Sequence, residues 1–203
     1  MYRYLLAGTA LAALATPLAA QTTVDNTRTQ TVRTSQLDGG AGDDVKVTTN
    51  GSIELTSGSG IIVDSDHDAT NEGEIDISNS DGSSGIETTG DRQSDITNSG
   101  DITIDETYTP TDVDNDNDPD GPFAVGTDRA GIRVRGNLTG NIVNSGDIFV
   151  EGNDSWGIAV AGTLDGKFVH DGETGVLGDR SVGIELHDVT GCLLYTSPSP
   201  RDS

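Results

Sequence analysis

The sequence predicts an all-β fold, a right-handed parallel β-helix with three short strands in each coil of ~26 residues. Three observations predict it: an internal repeat that aligns without gaps, apolar residues two apart, and glycine or asparagine at the turns. Residues 85–100 read GIETTGDRQSDITNSG, residues 131–146 read GIRVRGNLTGNIVNSG, and residues 157–172 read GIAVAGTLDGKFVHDG. A further copy opens at Gly183 with GIEL, and Gly131, Gly157 and Gly183 follow at intervals of 26. A competing architecture, an antiparallel sandwich or barrel, needs hairpin turns but no fixed period.

Each element follows from its pattern. The GIxV segments carry Ile132 and Val134, Ile158 and Val160, and Ile184 and Leu186 at alternate positions. The segments between repeats do the same with Ile53 and Leu55, Ile75 and Ile77, Ile102 and Ile104, and Ile148 and Val150. Alternation of this kind marks a strand with one buried face. One coil cannot bury its apolar face alone, so coils must stack and share a narrow core. Glycines at the corners permit positive φ or close backbone approach. Asn50, Asn71, Asn98 and Asn144 recur at one corner. Two readings stand for them: a ladder of amides bonded from coil to coil, or a set of good turn formers. His170 takes the same place in the next copy.

The domain boundaries come from composition. Residues 1–20 have Arg3, an apolar run from Leu5, Pro17, and small Ala19 and Ala20 before Gln21, which is the layout of a secretory signal peptide. Residues 21–42 are expected to form an N-terminal entry or cap segment, and residues 43–191 the β-helix. Residues 192–202 read CLLYTSPSPRD. That string is the translation of a transposase adapter used in sequencing libraries, so residues 192–203 are expected to be read-through rather than native chain. The single cysteine, Cys192, falls there, so no thiol chemistry is expected. The chain holds 34 acidic and 11 basic residues, for a net charge of −23. Nucleic-acid binding and direct membrane association are not expected, because both need clustered basic contacts. An acidic surface keeps an exported chain soluble and draws cations.

One connector is longer than the others. Residues 101–130 hold an acidic insertion at 105–128, and long loops on a solenoid project from one face. Asp116, Asp118, Asp120 and Gly121 match the opening of an EF-hand calcium loop, with Asp114 as a further ligand. Thr127 stands where that loop has its bidentate glutamate. Asp114, Asp116, Asp118 and Asp120 are therefore candidate calcium ligands, against the plainer reading of a solvated acidic loop. GGAGDDVKV at 39–47 resembles one calcium-binding nonapeptide, but Lys46 occupies its apolar position, so a turn is the simpler reading. His67, His170 and His187 are scattered, and no catalytic elbow or zinc spacing is present. An enzyme is not expected. Arg92, Arg133 and Arg135 would be the few basic candidates for a polysaccharide-active site, and Trp156 is either a sugar-stacking ring or a turn cover.

NSGDITI, NSGDIFV, GIRVRG and GIAVAG, with TPTDVDND and DGPFAVGT, resemble autotransporter passenger domains of alphaproteobacteria. The resemblance covers residues 21–191. It implies export, passage through the outer membrane by a C-terminal barrel outside this sequence, and a structural or adhesive role at the cell surface. Its partners would be that barrel and environmental ligands or polysaccharide. The alternatives are a secreted β-helical enzyme acting on polysaccharide and a calcium-dependent secreted module.

Overall fold

The computed structural model describes residues 21–196. The signal-peptide segment and residues 197–203 lie outside the described residues. Strands gather into three parallel sheets. The first stacks Gln21–Val24, Asp44–Val47, Ala69–Asn71, Ile96–Asn98, Ile142–Asn144, Lys167–His170 and Cys192–Tyr195. The second stacks Thr27–Arg28, Ser52–Leu55, Glu74–Ser78, Asp101–Asp105, Ile148–Glu151 and Thr174–Leu177. The third stacks Val32–Arg33, Ile61–Val63, Ser84–Thr88, Ala130–Val134, Trp156–Asp165 and Val182–Val189, with Arg92–Gln93 and Leu138–Thr139 continuing along its side. The chain visits the sheets in turn and returns to the first one coil higher. This is a β-solenoid of about seven coils, a parallel β-helix.

Register explains why the alternation works. Ile53, Ile75, Ile102 and Ile148 stand above one another in the second sheet. Ile61, Ile86, Ile132, Ile158 and Ile184 do so in the third. Val45, Ala69, Ile96, Ile142 and Phe168 do so in the first. Ile75, Ile86, Ile96 and Ile132 are all 0 % exposed. Burial of each such side chain contributes about 1.5–3 kcal/mol relative to leaving it in water. Polar residues between them point outward, so a slip of one residue would turn each column inside out.

Two glycine columns run up the solenoid, one at a corner and one inside the strands of the third sheet. A Cβ on Gly73, Gly100, Gly146 or Gly172 would lie 2.0–2.2 Å from the carbonyl oxygen of the glycine one coil below. A Cβ on Gly85, Gly131 or Gly157 would lie 2.2–2.4 Å from a side-chain carbon of Ile102, Ile148 or Thr174. The second column is the physical content of the GIxV repeat, since any side chain there would displace the core. Side chains at other corners tie coil to coil. The Asp68 carboxylate accepts from Asp95 N at 2.7 Å, that of Asp95 from Asn141 N at 2.7 Å, and the Asn141 amide oxygen from Lys167 N at 3.1 Å.

Three segments show strand pairing that the sequence pattern does not mark. Within residues 21–42, Gln21–Val24, Thr27–Arg28 and Val32–Arg33 already pair, one in each sheet, with the following coil. Their strands are too short and threonine-rich to show alternation. Gly60–Ile61–Ile62–Val63 is a further copy of the GIxV strand, hidden because the coils around it are irregular in length. Cys192–Tyr195 pairs in parallel with Lys167–His170 and lies exposed at the end of the first sheet. Backbone pairing with an open edge asks little of side-chain identity.

Candidate functional site

Three places hold the residues singled out from the sequence: the asparagine corner, the insertion, and the outer face of the third sheet.

At the corner, Asn71, Asn98 and Asn144 stand in register and are each 0 % exposed. Asn71 Nδ2 donates to Asn98 Oδ1 at 2.8 Å, and Asn98 Nδ2 donates to Asn144 Oδ1 at 2.7 Å. Asn144 Nδ2 meets His170 Nδ1 at 3.1 Å. The second amide hydrogens go to carbonyls: Asn98 to Gly100 O at 3.1 Å and Asn144 to Gly146 O at 2.9 Å. Each buried amide is therefore satisfied along the stack. Asn50 stands outside this column. Register puts Val47, not Asn50, beneath Asn71, and Asn50 is exposed. The corner from Val47 to Ser52 is longer than the corner from Asn71 to Glu74, although both pairs of ends are in register. An alignment anchored on Asn50–Gly51 thus misplaces the amide. His170 closes the column. Burial pushes its pKa below the ordinary imidazole value, with Asp171 opposing the shift.

The insertion leaves the second sheet after Asp105 and rejoins the third at Ala130. Its candidate calcium ligands do not converge as a set of four. Among the described residues, the carboxylates that come within 4.8 Å of one another are those of Asp112, Asp114 and Asp116. Asp118 and Asp120 are not in that group. Asp120 instead closes the loop, accepting from Val113 N at 2.5 Å. Asp112 accepts from Asn115 N at 2.7 Å and Asn117 N at 2.9 Å. Calcium takes six to eight oxygens, so the three carboxylates supply part of a shell, and two of them, Asp114 and Asp116, lie in solvent.

The base of the insertion is built more firmly than its tip. Arg129 is 2 % exposed, and its guanidinium lies 3.2 Å from Glu106 Oε2, whose side chain is 3 % exposed. Arg129 Nε donates to Ser80 O at 3.1 Å and Nη1 to Glu151 O at 2.6 Å. Glu106 accepts from Val125 N at 2.6 Å and Gly126 N at 2.7 Å, which draws the returning strand against the departing one. Asn153 Nδ2 adds a bond to Ala124 O at 2.8 Å. The Glu151 carboxyl lies beside this pair, and its pKa is raised by burial and by the charges of Glu106 and Asp105. None of these residues was singled out from the sequence. The available signal was one arginine, Arg129, at the return point of an otherwise acidic loop.

On the third sheet, Arg133, Arg135, Trp156, Glu185 and His187 line one open cleft. Arg133 pairs with Asp128 at 3.0 Å and Arg135 with Glu87. Arg92 is not among the lining residues; it donates to the Asp91 carbonyl at 2.7 Å. His67 pairs with Asp44 at 3.2 Å on another corner.

No protein family, curated protein or solved structure matches this chain. The strand register by itself defines the class, a parallel β-helix.

Proposed function

We propose that the chain is the passenger part of an exported, surface-displayed protein with a structural or adhesive role, carried across the outer membrane by a C-terminal barrel encoded beyond these residues. The observation that carries this reading is the pairing of a regular stacked rod with one insertion clamped at its base by Arg129 and Glu106. A solenoid holds such a loop at a set height and leaves its tip free for contact. The charge of −23 keeps an extended rod soluble and apart from its neighbours. Among the described residues no helix is long and apolar enough to cross a membrane.

The test is an epitope inserted between Asn115 and Asp116 of the full-length gene, expressed in the native host. Antibody should reach the tag on intact cells, and the mature protein should begin at Gln21. A tag reached only after lysis, on a protein that keeps Met1, would remove the proposal.

A further inference from the structure

We infer that the outer face of the third sheet carries a binding cleft for a neutral oligosaccharide. Three successive coils place Arg133, Ala159 and Glu185 in one row, and Arg135, Ala161 and His187 line the cleft beyond it, where the register between the second and third of these coils shifts. The two alanines form a low floor between rows of larger side chains. The resulting cleft has a volume of about 540 Å³, within the range of small-molecule sites.

Trp156 forms one wall and is held before any ligand arrives. The Arg133 guanidinium lies 5.3 Å from its ring centroid, and its Nε1 donates to Glu185 Oε2 at 2.5 Å. A ring held on two sides loses little freedom when a ligand lands. Arg133 is 5 % exposed, and its Nε has no acceptor among the described residues. The cleft thus combines an aromatic ring, a flat small-residue floor, and a Glu185 carboxylate that keeps one oxygen beyond its bond to Trp156. Sugars suit that combination: their C–H faces pack on rings and small side chains, and each hydroxyl both donates and accepts.

Charge selects a neutral sugar over an acidic one. Arg133 is paired with Asp128, Arg135 with Glu87, and Glu185 adds a further carboxylate. An anionic ligand would meet no unpaired arginine here, on a chain of net charge −23. The inference rests on the adhesive reading for its biological setting only. Binding by the purified chain can fail while surface display stands, and the reverse.

The chain has a single tryptophan, Trp156, so its emission reports on this cleft alone. The purified chain is titrated with cellohexaose, xylohexaose, mannohexaose and hexagalacturonate, followed by emission and by calorimetry. At least one neutral hexasaccharide should give a saturable signal, with hexagalacturonate about tenfold weaker or silent. Ala161 is exposed, so Ala161→Arg fills the floor without touching the core. It should weaken neutral-sugar binding about tenfold or more, with unchanged circular dichroism. No heat and no emission change with any neutral hexasaccharide would overturn the inference. So would equal or tighter binding of hexagalacturonate, or unchanged binding by Ala161→Arg.

Discussion

The amide column fixes a protonation state. Asn98 and Asn144 each send one N–H to a backbone carbonyl, so their amide nitrogens are identified by their partners. The remaining N–H of Asn144 points at His170 Nδ1, which must therefore accept. Protonated imidazole has no acceptor, and burial already lowers the His170 pKa. The unfolded chain then binds the proton more readily than the folded one. Stability is complete above the unfolded imidazole pKa of about 6.5 and falls as pH drops through it toward the lower folded value. His170→Asn restores an amide acceptor that does not titrate. Denaturant midpoints of the two proteins should run parallel above about pH 7 and diverge at pH 5, where the variant keeps more of its stability. Parallel curves throughout would mean that His170 does not act as the terminal acceptor.

At the scale of the element, the insertion is a stiff base with an open tip. Arg129 and Glu106 are both nearly sealed from water. Removing one charge of such a pair strands the other, a change that costs about 3–5 kcal/mol. Arg129→Met should lower the unfolding free energy by that order and expose the insertion to limited proteolysis. Residues 108–123 contribute little to the core, their exposed side chains including Val113 at 73 % and Phe123 at 44 %. Replacing them with Gly-Ser should change stability by less than about 1 kcal/mol, because the ends are already held together by the base and loop closure depends weakly on length. Chemical denaturation of both variants checks the contrast. A neutral Arg129→Met, or a deletion as damaging as that substitution, would show that the tip and not the base orders the segment.

For the whole molecule, stability is a chain of contacts between neighbouring coils. Coils in the middle have two stacked partners. The terminal coils have one, and Val182–Val189 buries its apolar side chains only in part. Amide exchange should therefore be slowest in Ile96–Asn98 and Ala130–Val134 and fastest in Gln21–Val24 and Cys192–Tyr195. Uniform protection from end to end would indicate one global unfolding unit rather than a graded solenoid.

The coil was legible in the chain's own pattern. Period, alternation and corner glycines are local properties, and stacking repeats them, so Ile132 and Ile158 could be placed in one column before any coordinates. The insertion was equally legible as a break in that period. Contacts between residues far apart in the chain emerged only in the fold. Asn50 fell from the column because two corners differ in length, which register shows and an alignment does not. The carboxylates that converge include Asp112 and leave out Asp118 and Asp120, a choice made by how the loop turns and not by the spacing of its aspartates. Arg129, Glu106 and Glu151 carry no periodic mark, and the cleft on the third sheet draws Arg133, Trp156 and Glu185 from successive coils. Repetition predicts the core because each coil repeats the same local pattern. It is silent about sites, because a site is made where neighbouring coils differ.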